Sequence, residues 1–186
     1  GHSACRCEAT ALGRFSGMIH LYCGDGKGKT TAAMGLALRA AGRGMGVVVA
    51  QFLKGADSGE RIALAQLPQI TLLEVPPQVK FTFAMAPEEL EVERLRSQAL
   101  LRRAGELART EGCGLLVLDE VCGAVSAGVL PLPPVLDLLD QIKAEIVLTG
   151  RDPAPALTAR ADYITRFVSL RHPYDGGQSA RCGIEF

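Results

Sequence analysis

An excess of charge of either sign is missing from this chain: 20 Lys+Arg stand against 20 Asp+Glu, for a formal net charge of zero. That balance argues against broad electrostatic binding of nucleic acid, which needs a basic surface to displace counterions. No apolar run approaches the roughly 20 residues of a membrane-spanning helix. The six cysteines include no Cys-x-x-Cys pair, so the close spacing of zinc and thioredoxin-like sites does not occur. Internal repeats and low-complexity linkers are absent as well. Aromatic residues make up only 5% of the chain, so two of them close together stand out.

What is present suits one α/β domain. The chain has 186 residues and is 48% hydrophobic, enough for a buried core. Gly1 to Gly17 reads as a short flexible tail without the apolar centre of a secretory signal, ahead of a single domain over residues 18–186. Cys5 and Cys7 fall in that tail. Cys23, Cys113, Cys122 and Cys182 lie in or beside apolar segments. They read as reduced, mostly buried thiols of a cytoplasmic protein.

The most informative segment is Cys23-Gly24-Asp25-Gly26-Lys27-Gly28-Lys29-Thr30-Thr31. It joins a short apolar stretch, Met18 to Cys23, to an alanine-rich amphipathic stretch, Ala32 to Ala41. Strand, glycine-rich loop, helix is the order that aims backbone N–H groups and the positive end of a helix dipole at one point. Phosphate oxygens fit there, Lys29 can reach terminal phosphates, and the Thr30 hydroxyl can ligate magnesium or manganese. The loop is a variant of the usual phosphate loop: Cys23 stands where the first glycine belongs, and Gly24, Gly26 and Gly28 alternate with Asp25 and Lys27.

Strand and helix signals then alternate. Strands are predicted over Val47 to Phe52, Ile70 to Val75, Leu115 to Leu118, Ile146 to Thr149, Tyr163 to Ser169 and Gly183 to Phe186. Pro87, followed by Glu88 and Glu89, opens a long helix running to about Glu111, and a last helix covers Pro155 to Ala161. Continuous apolar strands suit a parallel sheet covered on both faces. The expected fold is therefore a three-layer α/β domain with a mostly parallel sheet, P-loop NTPase-like (RecA-like), with ligands at the carboxyl ends of the strands.

Leu118-Asp119-Glu120 ends an apolar strand in two acids, which can hold a divalent cation directly or through water. Glu120 is the expected metal ligand, with Asp119 bonded to Thr30 or to metal-bound water. Arg151 follows another strand end and fits either a phosphate contact or an ordinary loop position, and Lys54 leaves the same choice open. Phe81 and Phe83 follow a proline-rich turn, and their spacing alone suggests anchoring of a loop. His20 reads as a packed or edge histidine, while His172 lies in a turn-rich segment where substrate contact is open.

Taken together, the loop with Arg39-Ala40-Ala41-Gly42-Arg43-Gly44, Gln51-Phe52-Leu53-Lys54-Gly55, Gly59-Glu60-Arg61, Leu118-Asp119-Glu120, Thr149-Gly150-Arg151 and the tail from His172-Pro173-Tyr174-Asp175 to Gly183-Ile184-Glu185-Phe186 resembles the phosphate-loop ATP:corrinoid adenosyltransferases. The resemblance runs from about Met18 to the carboxyl terminus. It implies transfer of the 5′-deoxyadenosyl group of ATP to the Co(I) of a reduced corrinoid, with release of triphosphate. By the same resemblance Gly24, Asp25, Gly26, Lys27, Gly28, Lys29, Thr30, Thr31 and Arg151 bind ATP. Thr30, Glu120 and Asp119 make up the metal site, with Thr30 and Glu120 binding the ion, and Phe81 and Phe83 face the corrinoid. Lys29, Thr30 and Glu120 are the residues on which the chemistry depends. The resemblance further implies a flavoprotein reductant and a homodimer. A nucleotide kinase or other phosphotransferase on the same scaffold, or a corrinoid or nucleotide carrier, fits the loop and acids taken alone.

Overall fold

Six strands form one parallel sheet: β1 (Ile19–Cys23), β2 (Gly46–Gln51), β3 (Ile70–Leu72), β4 (Cys113–Asp119), β5 (Glu145–Thr149) and β6 (Tyr163–Arg166), in the order β3-β2-β4-β5-β1-β6. The structure is a computed structural model that describes residues 17–80, 82–171, 177 and 179–184. The helices are α1 (Lys29–Ala41), α2 (Gly59–Leu64), α3 (Pro87–Ala108), α4 (Val121–Ser126), α5 (Leu132–Gln141) and α6 (Pro155–Arg160), with a 3₁₀ turn at Thr82–Ala84. Among the described residues no helix is long and apolar enough to cross a membrane.

The three layers follow from the pleat. Val48 and Ala50, Leu116 and Leu118, and Ile146 and Leu148 share one apolar layer with Leu100, Leu101 and Ala104 of α3 and Val135 and Leu138 of α5. The alternate residues Val47, Val49, Leu115, Val117 and Val147 pack with Ala33, Met34 and Ala37 of α1 and Leu64 of α2. Successive side chains point to opposite faces, so a strand covered on both sides must be apolar throughout. Each large side chain so buried contributes about 1.5–3 kcal/mol.

Most expected elements form, with shifted ends. α1 starts at Lys29, three residues before the apolar stripe, because Lys29, Thr30 and Thr31 make its first turn behind Gly28 in a left-handed conformation. β3 stops at Leu72, ahead of Pro76 and Pro77. β6 stops at Arg166 because the Phe167 carbonyl turns to accept the Gly26 N–H. Gly183 and Ile184, expected in a strand, lie in a turn closed by Ile184 N–H on Arg181 O at 3.2 Å. The remaining two residues of that expected strand lie outside the described residues. Helix α5 was not expected, because prolines crowd its start. Pro131 is in fact the residue before the helix, Pro133 fits the first turn, and Val135, Leu138 and Leu139 are buried at helical spacing.

Because β5 lies between β1 and β4, the glycine-rich loop and the acidic pair are borne on strands separated by one neighbour. All three end on the same edge of the sheet.

Candidate active site

Gly24 to Gly28 carry the chain from β1 into α1. Gly24 and Gly28 hold φ of 100° and 114°, the left-handed region that glycine enters without cost. Packing imposes the same choice: a Cβ on Gly24 would lie 2.3 Å from Phe167 O, and one on Gly26 would lie 2.7 Å from Val168 N. Gly24 N–H donates to Arg151 O and Gly26 N–H to Phe167 O, each at 2.9 Å. These glycines therefore brace the loop. Neither lines the adjoining cavity, nor does Asp25, which is exposed.

Lys27, Gly28, Lys29, Thr30 and Thr31 do line that cavity, whose volume is about 1130 Å³. The first N–H groups of α1 have no acceptor within the helix, and no side chain caps them. Lys29 Nζ donates to Gly26 O at 2.8 Å, so its ammonium rests on the loop beside the cavity. Arg151 and Glu120 reach the same space, and Met34, Leu38, Leu64 and Val79 give it apolar wall.

Asp119 is buried and accepts three hydrogen bonds. Its Oδ1 accepts the Thr30 hydroxyl at 2.9 Å and the Thr149 hydroxyl at 2.6 Å. Its Oδ2 accepts the Gln51 amide at 3.1 Å and faces Lys54 Nζ at 3.8 Å. Glu120, next in the chain, has the opposite environment. Its φ of 58° is rare for a residue with a Cβ and marks stored backbone strain of about 1–3 kcal/mol. Gly123 leaves room for its side chain, since a Cβ there would lie 2.4 Å from Glu120 Oε1. Burial pushes the Glu120 carboxyl above its ordinary range and the Asp119 charge adds to this, while Lys29, Arg151 and Lys54 pull the other way.

A second polar chain ties α2 to the acids. Arg61 donates to Gln51 Oε1 at 2.7 Å and to Leu73 O at 2.8 Å, which turns the Gln51 amide nitrogen toward Asp119. Lys54 pairs with Glu60 at 2.6 Å.

A model of the ATP:corrinoid adenosyltransferase BtuR/CobO/CobP family matches residues 15–186. The chain belongs to that family. A corrinoid adenosyltransferase of Pseudomonas aeruginosa is 32% identical over 173 residues, covering 91% of this chain and 84% of the relative. One from Escherichia coli is 31% identical over 178 residues, covering 91% and 86%. The corrinoid adenosyltransferase CobA of Salmonella typhimurium is 32% identical over 178 residues with the same coverage.

Against the family pattern, the residues fall into three groups. Lys27, Gly28, Lys29, Thr30, Thr31, Glu120 and Arg151 converge on one cavity, and Asp119 supports it from beneath. Gly24, Asp25 and Gly26 shape or flank the loop from outside. Phe83 stands apart on the 3₁₀ turn, 87% exposed and outside the cavity lining. Phe81 and His172 lie outside the described residues, as do Cys5 and Cys7. His20 is packed as expected, stacked on Tyr163 with ring centroids 4.6 Å apart. Cys23 and Cys122 are buried free thiols, but Cys182 is exposed and departs from the expected burial. Burial, then Glu120 and Cys23, push the Cys122 thiol up to about 12, so it stays protonated at neutral pH.

Lys54, left open between a phosphate contact and a loop position, pairs with Glu60, whereas Gln51, Glu60, Arg61 and Thr149 were visible only as parts of motifs. Gln51 and Thr149 carry a signal that would have found them, because each is the polar last residue of an apolar parallel strand, like Asp119. Arg61 and Glu60 carry none, since α2 is too short to show a period.

The site fits a divalent cation on its own donors. Thr30 Oγ1 keeps a lone pair after donating to Asp119, and the Glu120 carboxyl lines the same cavity. Among the described residues no group of three or more His, Cys, Asp or Glu forms a closed metal cage. Magnesium needs only one or two protein ligands and completes its shell with phosphate and water.

Glu60 sets a pH limit on the architecture. Burial pushes its carboxyl up, but the Lys54 ammonium, Ser58 and its own backbone bond outweigh this and lower it from 4.5 to about 2. A depressed carboxylate stabilises the fold above its ordinary value and loses that contribution as pH falls toward its folded value. Urea unfolding between pH 4.5 and 2 is therefore expected to show falling stability, with a shallower fall in Glu60→Gln. Equal slopes in both proteins would contradict the role of the Lys54–Glu60 pair.

Proposed function

We propose that this enzyme transfers the 5′-deoxyadenosyl group of ATP to the Co(I) centre of a reduced corrinoid and releases triphosphate. The observation that carries the reading is the convergence of Lys27, Lys29, Arg151, Thr30 and Glu120 on one cavity beside an uncapped helix start. Among the described residues no histidine or cysteine lines that cavity. The chemistry asks for neither. Co(I) supplies both electrons of the new cobalt–C5′ bond, the C5′–oxygen bond breaks, and its electron pair leaves on the triphosphate. The cobalt ends as Co(III).

The protein's share is positioning and electrostatics. Lys29 and the first N–H groups of α1 bind phosphate oxygens, and Lys27 and Arg151 add positive charge. Every group that binds triphosphate more tightly as its charge develops also improves it as a leaving group. Thr30 and Glu120 would hold magnesium or manganese, which supplies further charge neutralisation when bound. Asp119 keeps the Thr30 hydroxyl turned. The reading extends to residues 18–186 acting as one domain within a cytoplasmic homodimer, with a flavoprotein reducing Co(II) to Co(I).

Phe83 is assigned to the corrinoid face, where an apolar ring that excludes the lower axial ligand brings the cobalt within reach of the reductant. With Phe83 87% exposed, Phe83→Ala should leave thermal stability near that of the parent. It should impair turnover from Co(II) with a flavoprotein more than turnover from chemically prepared Co(I). Equal losses in the two assays would make the ring a packing group.

The reaction itself is tested by incubating the protein with ATP, magnesium and chemically reduced cobalamin without oxygen, following the visible spectrum. A light-sensitive adenosylated product with one triphosphate per turnover supports the proposal. ADP with a phosphorylated acceptor would assign a phosphotransferase, and bound but unconverted ligands would assign a carrier.

A further inference from the structure

Thr149 is the last residue of β5 and has no solvent exposure. Its hydroxyl donates to Asp119 Oδ1 at 2.6 Å and accepts the Glu120 N–H at 2.7 Å. A hydroxyl has one hydrogen to give. Because the Glu120 amide is itself a donor, that hydrogen must point at Asp119, so the direction of the bond is fixed. One side chain thus grips both acids by different atoms, the carboxylate of the first and the backbone of the second.

The two grips have different consequences. Asp119 Oδ1 is filled by Thr149 and Thr30, and Oδ2 by Gln51 with Lys54 nearby. Oδ1 is occupied on both its lone pairs, and the buried carboxylate, bonded to Gln51 through Oδ2, does not line the cavity. Glu120 is pinned at its N–H just where φ is 58°, a conformation its own Cβ disfavours. Its side chain is then carried past Gly123 into the cavity.

We propose that Thr149 is a positioning residue for the metal–triphosphate complex. It keeps Asp119 as a bridge to Thr30 and presents the Glu120 carboxylate alone to the cation. The inference rests on ATP with a divalent cation being the occupant of the cavity, as in the function proposed above. It does not depend on which bond of ATP is then broken.

The test compares Thr149→Val, Thr149→Ser and the parent as full chains. Valine keeps the shape and removes the hydroxyl; serine keeps the hydroxyl. The readouts are Mn²⁺ binding to the protein–ATP complex by electron paramagnetic resonance, ATP binding without divalent metal, and turnover. Loss of a group that orients a metal ligand lowers metal affinity or activity by about 10–100-fold. Thr149→Val is therefore expected to weaken Mn²⁺ by about 10-fold or more, to lower kcat more than it raises KM for ATP, and to leave metal-free ATP binding within about twofold of the parent. Thr149→Ser should recover Mn²⁺ affinity and kcat to within about threefold.

Parent-like Mn²⁺ affinity in Thr149→Val would overturn the proposal, as would a serine variant as weak as the valine one. Should Thr149→Val fail to fold, Thr149→Ala removes the same hydroxyl in a smaller side chain, and the same losses are expected of it. Failure of both to fold beside an intact serine variant would make the hydroxyl a folding requirement and would also overturn the positioning role. If the parent binds Mn²⁺ with ATP yet forms no cobalt–carbon bond, the reaction proposed above fails while the Mn²⁺ comparison still decides the role of Thr149.

Discussion

Lys29→Ala is expected to lose ATP binding, with affinity down by about 100-fold, the equivalent of the roughly 2–3 kcal/mol carried by a hydrogen bond to a charged group. The Lys29 ammonium rests on Gly26 O at 2.8 Å, a bond to a neutral carbonyl. Moving to phosphate exchanges it for a charge-assisted one, which is shorter and stronger. No other lysine has this placement, in the first turn of α1 and at the cavity wall. Alanine is a good helix former, so α1 should persist and the circular dichroism spectrum should be unchanged. Calorimetric titration with ATP decides the matter: affinity equal to the parent's would remove Lys29 from the phosphate site.

Glu120→Gln is expected to separate activity from stability. Glutamine preserves the shape and the backbone demands at position 120 but carries no charge. The parent carboxyl is penalised by burial and by the Asp119 charge. Its removal should leave the melting temperature equal or higher. Turnover should fall by about 100-fold or more, since stabilisation of developing charge by a bound cation is worth several kcal/mol. A fall in melting temperature with turnover intact would make Glu120 structural. A stabilised and inactive variant is the pattern of a residue kept for function at the expense of the fold.

Most of the fold could be read from the chain, because parallel strands covered on both faces are apolar almost throughout. The loop, Asp119 and Glu120 were legible for a related reason: each breaks an apolar run with residues whose chemistry has few uses. Asp119 bonded to Thr30 was anticipated, and the 2.9 Å bond is there. Other features were not legible. The bracing of Gly24 and Gly26 by Arg151 and Phe167 joins positions more than a hundred residues apart, which no local pattern encodes. Helix α4, six residues long, is too short for periodicity to register. The Arg61–Gln51–Asp119 chain depends on the register of Gln51 against Asp119, which only sheet pairing fixes. Gly183 and Ile184 looked like a strand from composition, and the left-handed φ of 75° at Gly183 turns the chain there.

The sheet order has a kinetic consequence. β1, β5 and β4 are consecutive in the ladder, so the loop, Thr149 and both acids ride on three hydrogen-bonded neighbours. Pro77, Gln78 and Val79, which form the facing wall, and the turn bearing Phe83 follow β3, an edge strand of three residues. Local opening takes the least free energy where the ladder is shortest. If the cavity takes ATP as proposed, the wall beside the phosphates is built on the longer-laddered strands, and the wall that follows β3 is the one expected to open at lower free energy.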